Sequence, residues 1–369
     1  MLANDFSVLN LSRYQLRLRA CQPVVLPQFL GSTLRGAFGH ALKEAVCVVG
    51  HRDCGRCMLA ERCIYPYLFE TPAPPIELLR GQKGAPHPFI LMPPLLEQGE
   101  ESGLSNESLP KQYNRTDCEY SGKTVRLVKS NPISCSKTGW NLAAGDELVF
   151  DLILMGRAVE YMPYVIYAVS EMAKRGLGVN RVRFDLSKVS LIDEQGFATT
   201  IYSGDAHCIS VPDQATKNLS NLIDSRLEQL RTTNSLCLDE LKLKFQTPAR
   251  IRADGDLQIK LDFDLLVRNL LRRVSLLAAI HGSAPLNVNY RGLIDLASSI
   301  QTKLSRLHWW DWERYSNRQR TKMKMGGFLG GIEYMGDAIA EFLPLIVAGE
   351  ILHVGTGTSF GLGKYRLVA

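Results

Sequence analysis

Residues 13–21 read RYQLRLRAC, with Tyr14, Leu16, Leu18 and Ala20 on one side of a period-two ribbon and Arg13, Gln15, Arg17 and Arg19 on the other. That alternation describes a half-buried strand. A helix is expected next, because Leu34, Phe38, Ala41, Leu42 and Ala45 recur at helical spacing and Ser32 or Thr33 is placed to cap it. Glu147 to Leu154 is an apolar strand, Met162 to Arg175 an amphipathic helix closed by Gly176, and Arg181 to Val189 another strand. The order is strand, helix, strand, helix, strand.

The same order returns further on. Leu241, Leu243 and Phe245 alternate with Lys242 and Lys244, and Phe263, Leu266, Val267, Leu270, Leu271, Val274, Leu277 and Ala278 form a long amphipathic helix ending at His281-Gly282. Gly326 to Met335 reads as paired strands, Asp337 to Phe342 as a short helix, and Ile351 to Val354 with Lys364 to Val368 as a closing hairpin. The expected architecture is therefore α+β, two split βαβ domains in tandem. The first is expected over 1–206 and the second over 236–369, joined through 207–235, where no strong strand pattern is visible. Pro93 to Asp146, rich in Ser, Asn, Gly and Lys, reads as an insertion too polar to form its own core.

Composition bounds the function. With 369 residues, 46% apolar and 22% charged, the chain has the makeup of a globular protein of about two domains, which excludes disordered and fibrous classes. The apolar stretch Phe342 to Gly349 is far short of the ~20 residues that cross a bilayer, and Met1 to Phe6 has no basic n-region before an apolar segment. No membrane is expected as partner, and a cytoplasmic protein is. A net charge of +6 is too small to argue for a polyanion. Its distribution says more, since Lys303, Arg306, Arg314, Arg318, Arg320, Lys322 and Lys324 are interleaved with Trp309, Trp310, Trp312 and Tyr315. Cations for phosphates and flat rings for bases suit single-stranded nucleic acid. A solvated helix with a tryptophan-anchored inner face explains the same residues.

Three constellations could carry chemistry. Cys47, Cys54, Cys57 and Cys63 give C-x6-C-x2-C-x5-C, whose four thiolates would fill a tetrahedral site and leave no position for water. A structural zinc is the expected occupant and a catalytic metal is not. An iron–sulfur cluster, His51 in place of one thiolate, or four unligated thiols are the other readings. The run from Gly355 to Tyr365 fails both common nucleotide fingerprints, because Thr358 and Tyr365 stand where a Walker A loop needs Gly and Ser/Thr. What remains is a loop whose Gly355, Gly357, Gly361 and Gly363 let backbone amides approach a phosphate, with Lys364 beside them, or a plain hairpin turn. On the first helix, Gly36, Gly39, His40 and Lys43 share the face opposite the apolar one. An imidazole and an ammonium beside bare backbone could move a proton and stabilise charge on a phosphate. A surface histidine is the bland reading of His40.

Three stretches together resemble one family. LPQFLGSTLRGAFGHALK (26–43) with the cysteines and CIYPYLFE (63–70), WERYSNRQRTKMKMGGFLGGIEY (312–334) and LHVGTGTSFGLGKY (352–365) are similar to the precursor-crRNA-processing endoribonucleases of CRISPR systems, within the RAMP superfamily. The resemblance implies two tandem ferredoxin-like (RRM-like) domains, with the Cys-rich loop inserted after the first helix. It implies CRISPR repeat RNA or crRNA as partner, held by the glycine-rich loop and a basic surface to which Arg35, Arg318, Arg320, Lys322 and Lys364 would contribute. Other effector subunits or a fused adaptation module are further partners of this class. Such enzymes cut without a metal ion, by attack of a 2′-hydroxyl. His40 is then the candidate acid or base and Lys43 the charge stabiliser. Tyr14 is the analogue of a tyrosine in some relatives, although its strand pattern puts it on the core face, and His353 is the reserve. A RAMP subunit that binds crRNA without cutting, or a zinc-stabilised interaction module, are the competing expectations.

Overall fold

A computed structural model describes residues 3–50, 53–76, 79, 84–95, 135–136, 139–206, 208–210, 212, 216–233, 237–253, 255–316 and 321–368. The alternation around Leu16 forms strand β1, Asn10–Ala20, whose apolar residues are buried and whose arginines face outward. Helix α1, Gly31–Val46, follows, but neither Ser32 nor Thr33 caps it: the helix begins earlier, with Leu30 at the cap position and no side-chain cap bond. Strands β2 (Phe89–Met92) and β3 (Glu147–Met155), helix α2 (Met162–Arg175) and strand β4 (Phe184–Ile192) complete the first half. The strands lie in the order β2-β3-β1-β4, every pair antiparallel. Leu34, Phe38 and Leu42 of α1 and Val165, Val169 and Met172 of α2 pack on one face of this sheet with Tyr14, Leu16 and Leu18.

Helix α3, Leu219–Thr232, lies within the stretch expected to be the joint. Its Leu219, Ile223, Leu227 and Leu230 enter the core of the second half. There β5 (Glu240–Ala249), α4 (Phe263–His281), β6 (Gln301–Trp310), β7 (Gly327–Met335), α5 (Ile339–Leu352) and β8 (Tyr365–Val368) follow in turn. The sheet order is β6-β7-β5-β8. In both halves the strands thus run second, third, first, fourth across the sheet, the ferredoxin-like order, and the α+β class with two tandem repeats holds.

Several expectations are corrected. Gly326 to Met335 is one strand, not two, and its partner β6 carries Trp309 and Trp310, so this basic and aromatic stretch is a strand rather than a helix. The antiparallel strands Glu313–Ser316 and Thr321–Lys324 follow it. No hairpin includes Ile351 to Val354: α5 continues to Leu352, and β8 pairs with β5. Helix α5 is buried around its whole circumference, from Phe342 through Leu345, Ile346, Val347 and Ala348, so it shows no amphipathic period by which to trace its length. Residues 96–134 of the expected insertion lie outside the described residues. Its final part belongs to the first core, because Gly139–Leu142 pairs with Val24–Leu26 and buries Trp140, whose Nε1 donates to Gln28 O at 2.8 Å. Among the described residues no helix is long and apolar enough to cross a membrane.

The two halves share packing. Leu11, Ile90, Met92, Ile153 and Met155 of the first sheet join the second core, and the loop after α5 wedges against α1 and β2. Gly355, Gly357, Gly361 and Gly363 all have left-handed φ, from 73° to 83°. A Cβ at Gly363 would stand 1.8 Å from Val354 O, and one at Gly31 1.9 Å from Phe360 O. Gly363→Ala is therefore expected to lower the denaturation midpoint, by at least about 1–2 kcal/mol for the backbone conformation alone. Gly36→Ala meets nothing within 4 Å and should raise stability by up to ~1 kcal/mol, because it replaces a helical glycine in open space. Equal midpoints for the two variants would refute the wedge.

Candidate functional site

The polar face of α1 is only partly open. His40 and Gly36 are exposed, whereas Gly39 is buried against the segment 64–69, where a Cβ would lie 2.8 Å from Phe69 Cε1. Gly39 is thus required by packing, and only Gly36 leaves bare backbone one turn from His40. Lys43 lies over the ring of Tyr65, 4.7 Å from its centroid, and Tyr65 stacks on Phe69 at 5.5 Å. Burial works against the Lys43 charge, but Tyr65, Cys54 and Glu70 around it together raise its pKa, with the Cys54 thiol hydrogen-bonded to it.

Arg35, expected among the nucleic-acid contacts, instead ties the two halves together. Its Nε donates to Ser359 Oγ at 3.0 Å and its Nη2 donates to His87 Nε2 at 3.0 Å, while its guanidinium lies 4.4 Å from the Phe360 ring centroid. Those bonds set the His87 tautomer, since Thr71 Oγ1 spends its proton on Tyr67 O at 2.8 Å and accepts from His87 Nδ1 at 3.2 Å. His281 at the end of α4 donates through Nε2 to Pro86 O at 2.8 Å and accepts at Nδ1 from the Tyr67 hydroxyl at 3.4 Å. Burial, with Arg35 and Arg273 nearby, lowers the His87 pKa to about 3, and burial lowers that of His281 to about 4. Arg273 is buried, its pKa brought down to about 10 by that burial, and its Nε donates to Leu352 O at 3.0 Å. Two neutral histidines thus sit among cations at the junction.

Two of the catalytic candidates are buried. His353 is fully buried with φ 60°, its Nδ1 donates to Leu362 O at 3.1 Å, and burial pushes its pKa well below the usual range. It holds the turn after α5 and is closed to a substrate. Tyr14 is likewise fully buried, its pKa raised by that burial, and it packs in the first core. Lys364 is half-buried at the junction, with Nζ 3.9 Å from Met92 Sδ, and burial followed by Arg13 lowers its pKa. The glycines of its loop serve the wedge described above.

Arg318 and Arg320 lie outside the described residues, as do His51 and the side chains of Lys322, Arg314 and Tyr315. Trp312 is buried, 4.6 Å ring to ring from Phe29, whereas Trp309 is 40% exposed and donates to Asp311 Oδ1 at 2.9 Å. Cys47, Cys54, Cys57 and Cys63 are half-buried free thiols, and no three His, Cys, Asp or Glu side chains among the described residues converge as metal ligands. Sequence reading missed Gly31, Phe69, His87 and Ser359. None carries a local signal, because each acts on a residue far along the chain.

Comparison with known proteins adds the following. Residues 9–107 and 128–214, about half of the chain, match the family profile AF_1859_N, an N-terminal domain, and residues 243–365 match the profile of the CRISPR-associated endoribonuclease Cas6. An uncharacterized protein of Archaeoglobus fulgidus is 22% identical over 364 residues, 97% of this chain and 98% of that one. Among solved structures, a partial Cas6-RT-Cas1–Cas2 complex has a TM-score of 0.53 at 12% identity and covers 98% of this chain, which spans 46% of that one. A Cas6 product complex has a TM-score of 0.49 at 14% identity and covers 97% and 99% of the two chains. At 12% identity, the likeness to the Cas6-RT-Cas1–Cas2 chain shows a shared fold alone.

The junction histidines give a pH dependence of known sign. Their folded pKa values of about 3 and about 4 lie below the ordinary 6.5, so the unfolded chain binds more protons on acidification. Stability is complete above pH ~6.5 and is lost as pH falls towards 4, by up to about 1.4 kcal/mol per pH unit for each group. Denaturation midpoints should drop between pH 7 and pH 5, and His87→Gln should flatten the drop. An unchanged slope in His87→Gln would place the titration elsewhere.

Proposed function

We propose, from the match of residues 243–365 to the CRISPR-associated endoribonuclease Cas6, that this chain is a RAMP-type protein that binds CRISPR repeat RNA and cuts precursor crRNA. The observation that carries this reading is the selection among histidines. His87, His281 and His353 are held at the junction or in the core with lowered pKa values; His40 and His308 are exposed, and of these two His40 stands on the helix whose first residue abuts the glycine-rich loop. An imidazole that a substrate can reach is able to move a proton at a phosphodiester.

In that step the 2′-oxygen bonds to the adjacent phosphorus as the bond from phosphorus to the 5′-oxygen breaks. The 2′-hydroxyl gives up one proton and the departing 5′-oxygen gains one, leaving a 2′,3′-cyclic phosphate. His40 is assigned the proton transfer, and the reaction is proposed to need no metal ion. Lys43 is assigned charge stabilisation on the phosphorane, and its engagement with Tyr65 and Cys54 makes it the smaller contributor. A cytoplasmic setting suits the exposed free thiols Cys21, Cys208 and Cys237. Other CRISPR proteins are proposed as partners, including an adaptation module fused to or bound by this chain.

Cleavage of the repeat RNA should persist in EDTA, stop when the ribose 5′ of the cut is 2′-deoxy, and yield the cyclic phosphate. His40→Ala should lose ~10²- to 10⁴-fold in rate while keeping RNA affinity. A magnesium requirement or cutting of the 2′-deoxy substrate overturns the mechanism. Unimpaired His40→Ala moves the role to His308, the other exposed histidine among the described residues. Tight binding with no cut establishes the non-cutting crRNA-binding subunit instead.

Loop 47–63 is proposed to close on a structural zinc through Cys47, Cys54, Cys57 and Cys63. Purification without chelator should then give one zinc per chain, and Cys57→Ser should release it and lower stability, because a structural site contributes its binding free energy to folding. Protein free of zinc and iron overturns this proposal and leaves the cleavage reading intact.

A further inference from the structure

Strand β6 is an edge of the second sheet, with β7 on one side and, among the described residues, no strand on the other. From Leu304 to Trp310 it pairs with β7 without a break, after a bulge between Thr302 and Leu304. Among the described residues this stretch makes no backbone hydrogen bond on its far side, and its side chains are exposed apart from the half-buried Leu307 and Trp310. A regular, uncovered edge is a template for a further strand, and proteins guard such edges with lysines, prolines and bulges. Here the guards stop short. Lys303 stands at the bulge, where it pairs with Glu240, and beyond it Arg306 is the only Lys, Arg, Asp or Glu up to Trp310.

The stretch is complementary to itself. Two copies joined edge to edge about a two-fold axis run antiparallel and keep their core faces on the same side, so residues of the same parity stand opposite one another. Laying the whole of Leu304 to Trp310 on its own copy puts the axis at Leu307. Leu304 then faces Trp310, Ser305 faces Trp309 and Arg306 faces His308, each pair occurring twice, with Leu307 beside its own copy. Aromatic side chains opposite aliphatic ones are among the pairs that stabilise a sheet, and like charges directly opposite destabilise it. Arg306 already ends a row of cations that runs from Arg366 through Lys244 and past Gly331 across the second sheet. Moving the axis one residue back would set Arg306 against its own copy. Moving it one residue forward would leave Leu304 and Ser305 without partners inside the strand.

We propose that β6 pairs with β6 of a second copy of this chain, antiparallel about Leu307, so that the two second sheets become one continuous sheet. The partner supplies hydrogen bonds to the open backbone edge, and Trp309 and Trp310, each opposite a smaller side chain of the other copy, lose exposed surface. One strand edge covers less than the ~1,200 Å² of a standard stable interface, so the pairing is reversible and set by concentration. It is independent of the cleavage reading.

The test is sedimentation velocity on the full chain, freed of RNA by nuclease, over about two decades of micromolar concentration, where a small interface dissociates. Wild-type protein should pass from monomer to dimer as concentration rises. His308→Arg sets two guanidinium groups opposite each other on either side of the axis and should weaken the dimer at least about tenfold. The double variant Arg306→Glu, His308→Arg puts a carboxylate opposite each new guanidinium and should restore it. Hydrogen exchange on wild-type protein needs no variant: amides within 304–310 that face the open edge gain partners in the dimer and should exchange more slowly at the upper concentration than at the lower. Should a variant fail to fold, that measurement decides. A chain that stays monomeric, an assembly larger than two, a dimer that His308→Arg leaves intact or the double variant fails to restore, or exchange within 304–310 that is independent of concentration overturns the proposal.

Discussion

The contact between the glycine-rich loop and the first turns of α1 is the constraint on which the rest depends. Phe360 O sits where any side chain at Gly31 would have to be, and Arg35 reaches from the same helix to Ser359 and the Phe360 ring. The helix bearing His40 is thereby positioned by the second half of the chain as much as by its own sheet. Each loop glycine adopts a conformation that other residues reach only with strain, so the loop can turn tightly enough to enter the crevice. A glycine-rich loop in this fold is first a structural wedge, and whatever it offers to a nucleic acid comes from the surface it leaves exposed.

The junction is unusual in its electrostatics. Arg35, Arg273, His87 and His281 come together, and burial with neighbouring cations keeps both histidines neutral. Hydrogen bonds to Pro86 O, Leu352 O and Thr71 Oγ1 take the place of carboxylate partners. Neutral donors and acceptors at a buried junction avoid the desolvation of a full ion pair while still fixing geometry. The same arrangement makes the junction sensitive to acid, since a proton added to either histidine meets cations and neutral groups among the described residues.

Charge is distributed differently on the two sheet faces. The first sheet neutralises its outward arginines with Asp151 and Glu147, whereas the second leaves a cation row around Gly331. Two copies of one topology have thus been given different surfaces. The fold supplies the platform, and the side chains at alternate strand positions decide whether it meets water or a ligand.

Periodic segments were legible from the amino-acid sequence alone. The alternation at 13–20 and 241–245 and the amphipathic helices at 162–175 and 263–281 each bury one face, and that requirement writes itself into local spacing. The duplicated split βαβ order and the exposure of His40 followed from those patterns, and the ferredoxin-like fold from the family resemblance. Elements buried on all sides, such as α5, carry no such period, and β6 was hidden because its residues are exposed on both faces. Only the tertiary structure decided that Gly39 faces Phe69, that His353 is a core residue, that Arg35 spans the junction, and that Arg366, Lys244 and Arg306 form one row. These facts depend on contacts between residues separated by many tens of positions, where strand register and helix packing, rather than local spacing, determine which side chains meet.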